Sequence, residues 1–131
     1  MGQPKMILPW ASTTVLGRVL EVLAAAGVGR TLVVTGAARA QVEQVCLSAG
    51  VANVYNPDYE AGEMLSSLQA GLRGCGPEWR AALVVLGDQP GIQEVVVRAV
   101  MERYRETSGL VVIPSYSRRR GHPWLVSREL W

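Results

Sequence analysis

Between Val15 and Ala26 the apolar residues Leu16, Val19, Leu20 and Leu23 recur at helical spacing, and Gly27 supplies a stop. The short run Thr31 to Val34 then predicts a buried strand ending at Thr35-Gly36. Helical spacing returns through Val42, Val45 and Cys46, predicting a helix from Ala38 to Ala49 that stops at Gly50. Val51 to Tyr55 reads as a second strand, closed by the turn sequence Asn56-Pro57-Asp58. Met64, Leu65, Leu68 and Leu72 mark a further helix, ended by Gly74 and Gly76-Pro77. Ala81 to Leu86 predicts a strand buried on both faces, and Gln93 to Thr107 an amphipathic helix. Leu110 to Ile113 and Pro123 to Val126 complete the set as a fourth and a short fifth strand, flanking a loop from Pro114 to Gly121.

Helices alternating with continuously apolar strands imply a doubly wound α/β domain: a mostly parallel sheet with helices on both faces. The 131 residues suffice for one such domain, and no internal repeat divides them. The first helix has no strand to feed it, and Ser127 to Trp131 reads as the start of another element. The expectation is a single domain over residues 1–131, cut at both termini.

Composition narrows the class without fixing the chemistry. Residues are 49% hydrophobic and 18% charged, a globular balance. The net charge of +2 gives no ground for nucleic-acid or membrane binding. No apolar run is long enough for a bilayer span and no signal peptide opens the chain, so the expected location is the cytoplasm. Cys46 and Cys75 have neither metal-ligand spacing nor a disulfide framework. Charged types are unevenly used: Lys5 is the sole lysine, Asp58 and Asp88 are the sole aspartates, and His122 is the sole histidine.

Four segments carry candidate chemistry. Gly87-Asp88-Gln89-Pro90 follows the predicted strand at its carboxyl end, where open α/β sheets bind ligands. A carboxylate there suits Mg²⁺, a hard ion that takes oxygen ligands and retains water; the bland alternative is a cap on the following helix. Lys5, in the Gly2-Gln3-Pro4-Lys5 loop, is either a compact charge for nucleotide phosphates or an exposed terminal lysine. Ser66 and Ser67, near a helix start, offer hydroxyls to a nucleotide or simply face solvent. The loop from Ser117 to Pro123 combines Arg118, Arg119 and Arg120 with Gly121 and His122; it is either an anion clamp or a solvated basic loop. Thr35-Gly36-Ala37-Ala38-Arg39 superficially suggests the cofactor turn of short-chain dehydrogenases, but Ala40 and Val42 stand where glycines are needed. No Gly-Lys-Ser/Thr phosphate loop is present.

The order of these segments resembles the MobA-like nucleotidyltransferases. Met1-Gly2-Gln3-Pro4-Lys5 leads, followed by Ile7-Leu8-Pro9-Trp10, Asn56-Pro57, Gly62 and the run from Ser66 to Leu72. Gly87-Asp88-Gln89-Pro90 and Arg119-Arg120-Gly121-His122-Pro123 complete a match over essentially the whole chain, leaning toward the cytidylyltransferase branch. The resemblance implies a Rossmann-like fold and a nucleoside triphosphate, CTP or GTP, whose α-phosphate is attacked by a phosphorylated small-molecule acceptor of the molybdopterin type. Mg²⁺ would be the cofactor and pyrophosphate the leaving group. It assigns Lys5 and Asp88 to catalysis and Asp88 to the metal. Gly2, Lys5, Ser66, Ser67 and Gly87 would bind the nucleotide, and Arg120, Gly121 and His122 the acceptor. Members of the family open on a strand and an Ala-Ala-Gly-x-Ser-x-Arg-like loop, and continue into a second acidic segment. Against that pattern the first strand is absent here. Transfer to a sugar or polyol phosphate, or an inactive truncated domain that only binds a partner, are the competing expectations.

Overall fold

The computed structural model describes residues 4–116 and 119–131, with side chains at all of these except 63, 116, 119 and 120. A 3₁₀ turn, Lys5–Ile7, leads into a small antiparallel ladder of β1 (Pro9–Trp10) and β2 (Thr13–Thr14). Helix α1 (Val15–Ala25) follows directly, because the Thr14 hydroxyl accepts the Gly17 N–H at 3.0 Å and caps the first turn. Then come β3 (Leu32–Thr35), α2 (Arg39–Ala49), β4 (Ala52–Tyr55) and α3 (Glu63–Gly74). The second half runs β5 (Ala81–Val84), α4 (Glu94–Thr107), β6 (Val111–Val112), β7 (Ser115–Tyr116), β8 (Arg119–Arg120) and β9 (Trp124–Ser127). A last 3₁₀ turn spans Arg128–Leu130.

Strands β3 and β4 pair in parallel, Leu32 opposite Ala52 and Thr35 opposite Tyr55, with α2 as the crossover. In the other sheet β9 lies between β5 and β6 and runs antiparallel to both, so β5 and β6 are parallel to each other. Helices cover both faces of the β3–β4 pair. Val33 packs toward α1 and α2 with Leu16, Leu20, Val42 and Cys46. On the opposite face α3 lies so close that a Cβ on Gly71 would meet Val34 at 2.9 Å, and one on Gly74 would meet Leu32 at 2.9 Å. At Gly71 the stiff, β-branched Val34 leaves little freedom to yield, so glycine lets the helix seat there.

Helix α1 joins the two halves. Leu16 and Leu20 enter the cluster with β3 and α2, whereas Val19, Leu23 and Ala26 pack with Val97 of α4 and with Leu83 and Val85. The Arg98 guanidinium donates to the Ala25 carbonyl at 2.6 Å, tying α4 to the end of α1. Helix α2 ends on Gly50 at φ 70°, where the Val51 N–H returns to the Cys46 carbonyl at 3.0 Å. Such a left-handed closure favours glycine.

Three expectations change in detail. The segment Leu83 to Leu86 is half-buried rather than buried, because β5 is paired on one side by β9 and no strand among the described residues pairs with its other edge. Met64 and Leu65, which helical spacing placed on an apolar face, are 47% and 62% exposed. Helix α3 meets β3 through Gly71 and Gly74 near its C-terminus, and its first turn projects past that contact. The segment from Pro114 to Gly121 carries the short β7–β8 ladder, with the Gly121 N–H donating to the Pro114 carbonyl at 2.9 Å.

Both cysteines are free. Burial, then the nearby Glu43 charge, pushes the Cys46 thiol above its ordinary 9.0. Burial also raises Cys75, with Arg128 opposing. A raised thiol pKa means that folding favours the protonated form. The associated stability is whole below pH 9.0 and is lost as pH climbs through the folded values. Thiol-reagent labelling at pH 8 is expected to modify half-buried Cys75 slowly, and to modify Cys46 only on unfolding. Rapid labelling of Cys46 in the folded chain would contradict this packing.

Candidate functional site

Past β5 the chain makes two successive tight turns. The Gln89 N–H donates to the Leu86 carbonyl at 3.3 Å, and the Ile92 N–H to the Gln89 carbonyl at 3.3 Å. Asp88 sits at the tip of the first turn, exposed, beyond the carboxyl end of the strand. Among the described residues no cation pairs with it and no hydrogen bond engages its carboxylate. Its bland role also falls away: α4 starts at Glu94, and its cap position is Gln93, without a side-chain cap bond.

A cleft of about 540 Å³ is lined by Asp88, Gln89, Pro90, Gln93 and His122, among others. That size suits a small molecule. The His122 ring stacks on Trp124 of β9, centroids 4.4 Å apart and planes at 17°. His122 Nε2 and Trp124 Nε1 are buried and have no hydrogen-bond partner among the described residues. The β5–β9 pairing of Val84 with Trp124 places this stack beside the β5 end, so residues 34 positions apart share one cleft. A larger groove of about 1240 Å³ lies elsewhere, lined in part by Gly29, Leu32, Gly50, Gly74, Glu78 and Trp79. Those segments lead into the amino ends of β3, β4 and β5, the end opposite the usual ligand crevice, so the smaller cleft is the better candidate.

Lys5 is exposed in the first 3₁₀ turn. Its neighbour Met6 packs at Gly87: a Cβ there would lie 3.4 Å from the Met6 sulfur and from Leu16. The fold therefore brings the Lys5 segment against the Asp88 turn. Gly2 lies outside the described residues, as does the side chain of Arg120, whose backbone belongs to β8.

Ser66 and Ser67 form a second group, at the carboxyl end of β4. Both are half-buried on the first turns of α3, and Asn56 holds them. The Asn56 amide nitrogen donates to Ser66 Oγ at 2.9 Å and to Ser67 Oγ at 3.1 Å, and Asn56 itself is 3% exposed. Gly62 makes room for this arrangement, since a Cβ there would fall 2.3 Å from Ser66 Oγ. Sequence reading gives Asn56 a place in a turn and in the ordered motifs, but no role at the site. A polar residue directly after an apolar strand, ten positions ahead of a serine pair, is the signal that could have found it.

The donor set suits a hard divalent ion. Asp88 offers free carboxylate oxygens at a solvent-reached cleft, and Mg²⁺ is commonly held by one or two carboxylates, waters and substrate phosphates. Among the described residues no cluster of three or more His, Cys, Asp or Glu could build an all-protein cage.

The architecture is that of solved nucleotidyltransferase-type α/β structures. Rv0371c from Mycobacterium tuberculosis H37Rv superposes with a TM-score of 0.83 at 27% identity, over 100% of this chain and 66% of that one. Its complex with manganese superposes at 0.82 and 28% identity, over 98% and 67%. A nucleotidyl transferase from Methanothermobacter thermautotroptrophicus (Mth528) gives 0.76 at 27% identity, over 96% and 60%. The molybdenum cofactor cytidylyltransferase of Escherichia coli (strain K12) is 28% identical over 129 residues, 98% of this chain and 64% of the enzyme. The chain belongs to the MobA-like NTP transferase domain family, whose model matches residues 1–131. It spans 60% to 67% of the length of these relatives.

Proposed function

We propose that this chain, as one nucleotidyltransferase domain, serves divalent-metal-dependent transfer of a nucleotidyl group from CTP or GTP to a phosphorylated acceptor. A molybdopterin-type cofactor is the acceptor favoured by the similarity to the Escherichia coli cytidylyltransferase. The observation that carries the reading is Asp88: exposed, unpaired among the described residues, and set past the end of β5 in a cleft shared with His122. The manganese complex of Rv0371c supports a divalent ion in this fold. Mg²⁺ is the proposed physiological metal, and the cytoplasm, where the two free thiols would stay reduced, the proposed location.

In the reaction an acceptor phosphate oxygen attacks the α-phosphorus. The bond from that phosphorus to the bridging oxygen breaks, and pyrophosphate leaves. A bound Mg²⁺ would neutralise phosphate charge, with Asp88 as its protein ligand. Lys5, held near the Asp88 turn through Met6, is assigned to the nucleotide phosphates. Gly2 and Gly87 are assigned to close backbone approach, and Ser66 and Ser67 to the nucleotide. Arg120, Gly121 and His122 are assigned to the acceptor side, His122 because it lines the Asp88 cleft. Such a site works by positioning and charge stabilisation rather than by a covalent intermediate.

Pyrophosphate release should be measured with CTP, GTP or ATP against molybdopterin-type, sugar-phosphate and polyol-phosphate acceptors. Turnover is expected with Mg²⁺ or Mn²⁺, with CTP ahead of ATP, and with the molybdopterin-type acceptor. Turnover confined to a sugar or polyol phosphate would move the substrate assignment. Metal-independent release, or none with any pair, would defeat it.

A further inference from the structure

We propose that Asn56 is a positioning residue for the nucleotide, setting the Ser67 hydroxyl as a donor toward an acceptor oxygen of the bound ligand. This rests on the assignment of Ser66 and Ser67 to the nucleotide pocket.

Asn56 is fixed from three directions. Its backbone N–H donates to the Thr35 carbonyl at 2.8 Å, extending the β3–β4 pairing by one residue. Its side-chain oxygen accepts the Asp58 N–H at 3.0 Å. A backbone N–H can only donate, so this contact fixes which end of the carboxamide is oxygen. The NH₂ end must then face α3, and it has two hydrogens for two serines. Swapping the ends would set an NH₂ group against the Asp58 N–H, two donors facing each other at a site 3% exposed.

The consequence is a defined polarity. A serine hydroxyl has one hydrogen and two acceptor lone pairs. Ser67 uses a lone pair on Asn56 and makes no further hydrogen bond among the described residues. Its hydrogen is therefore directed away from Asn56, on a half-buried side chain at the carboxyl end of the parallel pair. Phosphate oxygens, base carbonyls and ring nitrogens are acceptors, so a hydroxyl set as a donor matches nucleotide chemistry. An acceptor in place of the NH₂ group would capture the serine hydrogen and reverse the match.

The test is calorimetric titration of the chain with CTP in excess Mg²⁺ at pH 8, for five single substitutions at Asn56, Ser66 and Ser67 and for Asn56–Ser67 double variants. Ser67→Ala is expected to weaken binding about tenfold, the usual scale for one hydrogen bond to a charged or buried group. Ser67→Thr, which keeps the hydroxyl, is expected to bind near the parent value. Asn56→Asp and Asn56→Ala are each expected to weaken CTP about tenfold. Either one combined with Ser67→Ala should be scarcely weaker than Ser67→Ala alone, because both changes remove the same contact. A merely structural asparagine would give losses that multiply. Multiplying losses, or a loss in Asn56→Asp alone (the effect of an added charge), would overturn the inference and leave the pocket assignment standing. If the parent chain binds no CTP, or Ser66→Ala and Ser67→Ala both bind normally, the pocket assignment fails and the inference falls with it. Asn56→Ala carries the test if the buried carboxylate of Asn56→Asp prevents folding.

Discussion

Asp88→Asn is expected to lower nucleotidyl transfer by roughly 10²–10³-fold, the scale seen when one preorganised group that stabilises transition-state charge is removed. The amide keeps the size and shape of the side chain but loses the anionic oxygens that a hard ion requires. The fold should be indifferent to the change. Asp88 is exposed at a turn closed by backbone bonds, and no side chain among the described residues depends on it. A thermal melt should therefore match the parent within the error expected for a surface substitution, about 0.5 kcal/mol. Turnover that survives the substitution would remove Asp88 from the chemistry. A large stability loss with turnover intact would instead make it a structural cap, contrary to the Gln93 start of α4.

Leu23→Ala is expected to destabilise the chain by about 2–5 kcal/mol, the usual cost of truncating a buried leucine. Leu23 is 5% exposed and packs with Val19, Ala26 and Val97 in the cluster that fastens α1 to the β5–α4 half. The loss is large against a typical total of about 5–15 kcal/mol. Because α1 also supplies Leu16 and Leu20 to the β3–α2 cluster, both halves should unfold in one transition. Urea denaturation followed by circular dichroism measures this. A loss below about 0.5 kcal/mol would place Leu23 outside the core. Two separate transitions in the variant would show that α1 does not couple the halves.

The helices were legible because burial on one side imposes a 3.6-residue period. Leu16, Val19, Leu20 and Leu23 announce α1, although its division between two core clusters emerges only in the fold. The parallel β3–β4 pair was legible from two short apolar runs joined by a helix. Strand direction in the second sheet was not. Trp124 to Ser127 looks the same in sequence whichever way it pairs, and its central antiparallel place depends on contacts far along the chain. The half-burial of Leu83 to Leu86 was hidden for a related reason, since apolar composition reports what a strand can bury and not which neighbours cover it.

The candidate site was read from order more than from local pattern. Asp88 alone matched a helix cap as well as a ligand. The structure starts α4 at Glu94, away from Asp88, and sets Asp88 and His122 in one cleft, which supports the proposed ligand role. The resemblance implied site roles for Ser66 and Ser67 but none for Asn56, because a buried asparagine after a strand is indistinguishable from the turn signal Asn-Pro that contains it. The His122–Trp124 stack was beyond sequence reading, since it depends on ring orientation.

Electron paramagnetic resonance of Mn²⁺ tests the central claim most directly, because it reports metal at the site without requiring the acceptor. In the presence of CTP, the parent chain is expected to reduce the free Mn²⁺ signal below that of CTP alone, with Asp88→Asn losing most of this effect. Equal Mn²⁺ binding by the parent and Asp88→Asn chains would contradict the account.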